Sequence, residues 1–270
     1  MLLTGKKIVI TGVLSRQSIA FRCAQLAQQE GAEIVLTSFG RVRSLTEKTA
    51  RRLDPVPDIL ELDINNHADV LALTEELRSR WGRVDGALHA IAFAPADALG
   101  GNFMETPWES AATAFQTSTF SLKELAVAVA PLMENGGSIV TLDFDNRVAW
   151  PVYDWMGVAK AGLEAVVRYL ARYLGPRGIR VNAVAAGPQA TVAAKSIPGF
   201  ALFQDGWARH SPLGWDTNDT DAAARMVILL LSDWSPMTTG EMIHVDGGYH
   251  AMGAEMTESA PAESAIEPAD

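Results

Sequence analysis

The chain has 270 residues, 48% hydrophobic and 20% charged, a composition that suits one large α/β domain or two small ones. Net charge is −10, but five of the acids (Glu255, Glu258, Glu263, Glu267, Asp270) follow residue 253, where no Lys or Arg stands, and no basic stripe marks a nucleic-acid partner. Cys23 is the only cysteine, which excludes intrachain disulfides and cysteine metal clusters, and the histidines show no ligand spacing, so no metal is expected.

The opening MLLTGKKIVITG is too short in apolar residues for a secretory signal, and no apolar run reaches the roughly eighteen residues of a membrane span. The expected location is the cytoplasm. Short β-branched runs then alternate with helical patterns. Strands are expected at 7–11, 33–38, 58–63, 86–92, 138–142, 180–184 and 242–245, with helices near 17–30, 41–53, 67–81, 107–133, 152–173 and 219–232. Strands such as IVIT, IVLT and SIVTL are apolar throughout, as strands buried on both faces are. The alternation predicts a Rossmann-type, doubly wound α/β fold, with about seven parallel strands and helices on both faces. Thr106-Pro107-Trp108-Glu109 reads as a capping box opening the 107–133 helix. No linker divides residues 1–250, read as a single dinucleotide-binding and catalytic domain. Residues 251–270, rich in Ala, Glu, Pro and Ser, are expected to be a disordered acidic tail.

Thr11-Gly12 ends the first strand and a helix opens at about Ser18. Such a turn brings backbone N–H groups and the helix dipole to a pyrophosphate, although the usual GxGxxG is absent and a plain βα turn reads as well. The second strand ends at Ser38-Phe39 without the acid that commonly meets the adenosine ribose, while Asp63 ends the third strand, where it can accept from an adenine amino group. Arg41 and Arg43 are either a clamp for a 2′-phosphate or solvated residues of a first helical turn; the second reading is preferred.

No YxxxK pair exists. Instead Tyr153-Asp-Trp-Met156-Gly-Val-Ala-Lys160 places a tyrosine and a lysine two helical turns apart on one face, with Met156 between them. A phenol there can donate to a developing oxyanion, and an ammonium can hold ribose hydroxyls and so orient a nicotinamide.

Tyr153-x6-Lys160, the TG-x5-SIA start, Asp143-Phe144-Asp145 and Ala186-Gly187-Pro188 together resemble the enoyl-acyl carrier protein reductases, a divergent short-chain dehydrogenase/reductase branch. The likeness runs from about residue 5 to residue 250 and is closest to the mycobacterial type, through SIAF, ILELDI, DFD, WMGVAK, VAAGP, LLSDW and TTGE. The resemblance implies NADH-dependent reduction of the trans-2 double bond of an enoyl thioester on acyl carrier protein (or coenzyme A), in fatty acid biosynthesis. Tyr153 and Lys160 take the catalytic places. Phe144, Met156 and Tyr153 border the substrate. Gly12, Ser18, Ile19, Phe39, Asp63, Ile64, Ala92, Lys160 and Thr191 match NADH-contact positions. It also implies a homotetramer built through the 107–133 and 152–173 helices. Departures are Ala92 for a glycine, Gln189-Ala190-Thr191 for Ile-Arg-Thr, and a shorter substrate-loop region at 192–215, with Pro198-Gly199 as its hinge. Phe200, Phe203 and Trp207 in that short wall suggest short or medium acyl chains. The rivals are a 3-oxoacyl reductase or alcohol dehydrogenase, which needs YxxxK, and a catalytically silent NAD-binding regulator.

Overall fold

The computed structural model describes residues 1–191, 194 and 200–253. Seven strands, β1 (Lys7–Ile10), β2 (Glu33–Ser38), β3 (Ile59–Glu61), β4 (Gly86–His89), β5 (Gly137–Asp143), β6 (Ile179–Ala186) and β7 (Met242–Val245), form one all-parallel sheet in the order β3-β2-β1-β4-β5-β6-β7. Parallel neighbours need crossovers, and these run through α1 (Ile19–Gln29), α2 (Arg43–Ala50), α3 (His67–Trp81), α4 (Trp108–Phe115), α5 (Ser121–Val129), α6 (Asp154–Leu174) and α8 (Asp221–Leu231), with α7 (Phe200–His210) in the loop before α8. Ser18 caps α1 by accepting from Phe21 N at 3.1 Å, and Asn66 caps α3 by accepting from Ala68 N at 3.1 Å.

Alternation along each strand builds two cores. Ile8, Ile10, Ile34 and Leu36 pack on α1 and α8, whereas Val9, Val35, Ile139 and Val181 pack on α3, α5 and α6. The doubly wound α/β architecture therefore stands as the strands predict. No helix among the described residues is long and apolar enough to cross a membrane.

Three expectations need correction. The 107–133 stretch is not one helix: a π-helical segment, Gln116–Phe120, separates α4 from α5, and a 3-10 turn, Ala130–Leu132, closes it. The capping box does not form either. The Thr106 hydroxyl donates to the carbonyls of Asp97 and Asn102, and Pro107 becomes the cap residue of α4. β4 ends at His89, short of residue 92, because Ala90 N turns to Thr11 Oγ1 and both backbone groups of Phe93 turn to the Ser118 hydroxyl. Most of the 192–199 part of the substrate-loop region, including the proposed Pro198-Gly199 hinge, lies outside the described residues, as does the tail beyond Gly253.

Candidate active site

The strand order reverses between β1 and β4, and open parallel sheets hold ligands at such a point, beyond the carboxyl ends of the strands. Here the Thr11 hydroxyl donates to Leu88 O at 3.0 Å and accepts from Ala90 N at 2.8 Å, tying the two strand ends together. Gly12 has φ +76°, and a Cβ at that position would stand 2.0 Å from Ala90 O, so only glycine makes this turn without moving β4. Ser18 and Ile19 begin α1 directly after it.

The remaining sequence-predicted cofactor positions lie along the same edge. Phe39 follows β2 and is exposed. Asp63 and Ile64 follow β3: the Asp63 carboxylate accepts from Asn65 N at 3.0 Å, and Ile64 is buried in the core beneath α3. Ala92 is exposed beyond β4, on backbone pinned by Ser118 of the π segment. Thr191 lies beyond β6, its hydroxyl accepting from Ala194 N at 3.1 Å. Of the two arginines, Arg43 donates to Glu61 at 2.8 Å, to Ile59 O at 2.9 Å and to Glu47 at 3.2 Å, so it is engaged within the fold.

At the start of α6, Tyr153 sits between two residues in left-handed backbone, Val152 (φ 59°) and Asp154 (φ 43°). Conformations of this kind cost on the order of 1–3 kcal/mol each and persist where surrounding contacts enforce them. The enforcing contacts are the Asp154 carboxylate, which accepts from Gly101 N at 2.6 Å and Asn102 N at 3.1 Å, and Val152 O, which accepts from Gly100 N at 2.9 Å. Farther along α6 the buried Lys160 ammonium donates to Leu142 O at 2.8 Å and lies 3.9 Å from Asp143 Oδ1.

Burial dominates the electrostatics. It pushes the Tyr153 phenol well above its ordinary value, with the Asp143 charge adding to the rise. It lowers Lys160, against the pull of Asp143, and raises Asp143 to about 6, against the pull of Lys160. A protonated phenol thus stands beside a coupled, buried Lys–Asp pair.

Tyr153, Met156, Leu99 and Ala159 form one small apolar cluster, with Ala94, Phe144 and Trp150 packed against it. The three substrate-side residues expected from the sequence are therefore brought together, the Phe144 and Tyr153 rings meeting edge-on at 5.2 Å. Phe203 and Trp207 of α7 also reach Phe144, at 6.0 and 5.6 Å. Sequence reading missed Trp150, 4.8 Å from Trp207, and Tyr249, stacked on Trp207 at 3.9 Å. The density of Phe144, Trp150, Tyr153 and Trp155 in one short stretch was a usable signal for Trp150; nothing local points to Tyr249.

Four side chains have buried polar atoms without a hydrogen-bond partner among the described residues: Asp143 (Oδ2), Gln189 in the turn after β6 (both amide atoms), Trp207 (Nε1) and His244 (Nε2). Leaving such atoms unpaired costs about 1–3 kcal/mol apiece, which fits a site completed by a polar ligand. A nicotinamide dinucleotide meets that requirement, as it does the glycine-only turn ahead of α1.

A sheet with this switch point and a Tyr–Lys helix at its carboxyl edge belongs to the short-chain dehydrogenase/reductase class. Within that class, the family profile described as "Enoyl-(Acyl carrier protein) reductase" matches residues 12–250. The chain is 42% identical over 261 residues to an "Enoyl-[acyl-carrier-protein] reductase [NADH]" of Mycolicibacterium smegmatis, covering 92% of this chain and 97% of that protein. It is 40% identical over 260 residues to the Mycobacterium avium protein of the same name, covering 92% and 97% respectively. A Synechocystis protein, "Enoyl-[acyl-carrier-protein] reductase [NADH] FabI", is 40% identical over 255 residues, covering 93% and 98%. The chain belongs to the enoyl-acyl carrier protein reductase family.

Proposed function

We propose that this chain reduces the trans-2 double bond of an enoyl thioester carried on acyl carrier protein, with NADH as cofactor, in the fatty acid elongation cycle of the cytoplasm. The observation that carries the reading is the grouping of buried Tyr153, Lys160 and Met156 with the partly buried Phe144 at the edge of a dinucleotide-binding sheet, in a chain of this family.

NADH, when bound, supplies the hydride. Gly12, Ser18 and Ile19 would hold its diphosphate at the start of α1, Phe39 would border the adenosine ribose, and Asp63, with Ile64 packed in the core behind it, would accept from the adenine amino group. Ala92 and Thr191 flank the cofactor from the β4 and β6 sides. Lys160 donates one N–H to Leu142 O and would offer its others to the ribose hydroxyls. Tyr153 Oη, kept protonated by burial, would donate to the acyl carbonyl oxygen, where the reduction places negative charge. Phe144 and Met156 confine the acyl chain and keep water from the carbonyl. Gln189 supplies amide donors and an acceptor for the nicotinamide end.

The test is steady-state NADH oxidation with enoyl thioesters, run beside 3-oxoacyl thioesters. Turnover of the enoyl substrates alone is expected; turnover of the 3-oxo substrates alone would contradict the reading. The same assay across chain lengths is expected to plateau early. Phe203 and Trp207 already fill the space beside Phe144, and each methylene left in water forgoes about 0.8 kcal/mol of burial.

The assembly proposed is a homotetramer. Trp108 (75% exposed), Phe115, Phe120 and Val158 line an apolar groove of about 380 Å³ across α4, the π segment and α6. Contiguous apolar surface of this kind generally marks an interface.

A further inference from the structure

We propose that Glu61 sets the preference for NADH over NADPH, supplying from β3 the acidic group that the carboxyl end of β2 lacks. The proposal rests on the reading that the adenosine ribose lies at residues 38–40.

In dinucleotide-binding sheets an acid at the end of the second strand meets the ribose 2′-hydroxyl, while an arginine nearby accommodates a 2′-phosphate. β2 ends at Ser38, and the next residues, Phe39 and Gly40, carry no charge. The parallel register, however, pairs Ser38 with Glu61, so the β3 carboxylate arrives at the same place from the adjacent strand. One of its oxygens accepts from Gly40 N at 3.2 Å, and the other accepts from the Arg43 guanidinium at 2.8 Å. The other Arg43 contacts, to Ile59 O and Glu47, hold the side chain along β3 and α2.

A phosphate is received by backbone N–H groups and guanidinium forks. At this edge one of each is turned onto a carboxylate. A ribose hydroxyl can donate to Glu61, whereas a 2′-phosphate brings nearly two negative charges against it and finds Arg43 occupied. Because Arg43 and Glu61 are both partly exposed, the discrimination is screened by solvent and falls as salt rises.

The experiment measures dissociation constants of the full chain for NADH and for NADPH by cofactor fluorescence, at low and high ionic strength. It compares the wild type with Glu61→Gln and with Glu61→Gln combined with Arg43→Ala. Glutamine keeps an acceptor for the ribose hydroxyl. Glu61→Gln is expected to tighten NADPH about tenfold, the scale of a lost repulsion at contact distance in a watery setting, and to weaken NADH by less than that, since a neutral acceptor replaces a charged one at the ribose hydroxyl. The gain is expected to shrink at high salt and to fall when Arg43, the released receiver, is also removed. An unaltered NADPH constant beside normal NADH binding overturns the proposal alone. Equal weakening of both cofactors also overturns it, since Glu61 would then only brace the β2–β3 edge. A wild type that binds neither cofactor overturns the underlying cofactor reading as well.

Discussion

At the scale of single residues, three ionisable groups at the candidate site, Tyr153, Lys160 and Asp143, lie together out of water. Burial keeps the Tyr153 phenol protonated and a donor, and the same burial brings Lys160 and Asp143 into one coupled pair. The two partners of the proposed reaction are thereby separable. Tyr153→Phe removes a donor to the carbonyl oxygen and leaves the cofactor's contacts in place. Turnover is expected to fall by up to about 10²–10³, the usual loss of one oxyanion donor, with the NADH dissociation constant unchanged. Lys160→Met is expected to show the opposite split, weakening NADH in a fluorescence titration. Full turnover in the first variant, or an unaltered constant in the second, would contradict these roles.

At the scale of elements, β4 and the π segment act as one unit. His89 in β4 is fully buried, with its ring nitrogens 2.8 Å from Thr141 Oγ1 and 2.8 Å from Ser121 Oγ, and Ser118 pins Phe93 just beyond. Burial, aided by the Lys160 charge, lowers the His89 pKa from 6.5 to about 3. The folded chain therefore keeps His89 neutral, while the unfolded chain takes up a proton near the ordinary value. Stability from this residue is fully present above pH 6.5 and drains as pH falls towards 3, by about 1.4 kcal/mol per unit. His89→Gln is expected to lower stability at neutral pH yet flatten its decline in acid, as read from denaturant unfolding across pH. Parallel declines in the two proteins would contradict this.

The same unit shows why some elements were legible in the sequence and others were not. Strands such as Lys7–Ile10 and Glu33–Ser38 announce themselves because both of their faces are buried, which leaves little choice of residue. The π segment does not, because its bulge is fixed by side-chain bonds to another strand's loop, and its composition continues that of the neighbouring helices. Residue-type patterns singled out Tyr153, Met156 and Lys160, but the expected single helical face is corrected by the structure: α6 begins at Asp154, and Tyr153 is the cap residue ahead of it, set off by the left-handed Asp154. Such patterns could not carry the Lys160–Asp143 pair, which exists only because β5 ends beneath α6, nor the Glu61 bonds, which depend on sheet register. The 192–215 segment was read only as a wall, and the short helix Phe200–His210 within it went unnoticed.

At the scale of the whole molecule, the proposed chemistry lies at the carboxyl edge of the sheet, and the apolar groove of α4 and α6 is the proposed seat for other copies of the chain. Light scattering of the wild type is expected to give four copies, and Trp108→Glu, which puts a charge on the most exposed aromatic of the groove, a smaller assembly with an unchanged circular dichroism spectrum. A wild type that remains monomeric would contradict the interface. The central claim is that this edge delivers hydride from NADH to the β-carbon of an enoyl thioester while Tyr153 serves the carbonyl. The most direct test uses NADH labelled with deuterium on the transferring face of the nicotinamide and follows the product by mass spectrometry and NMR. The account predicts a saturated acyl thioester with one deuterium at C3 and a solvent-derived proton at C2, formed slowly by Tyr153→Phe. A product with label elsewhere, or an enoyl thioester left unreduced under saturating NADH, would contradict it.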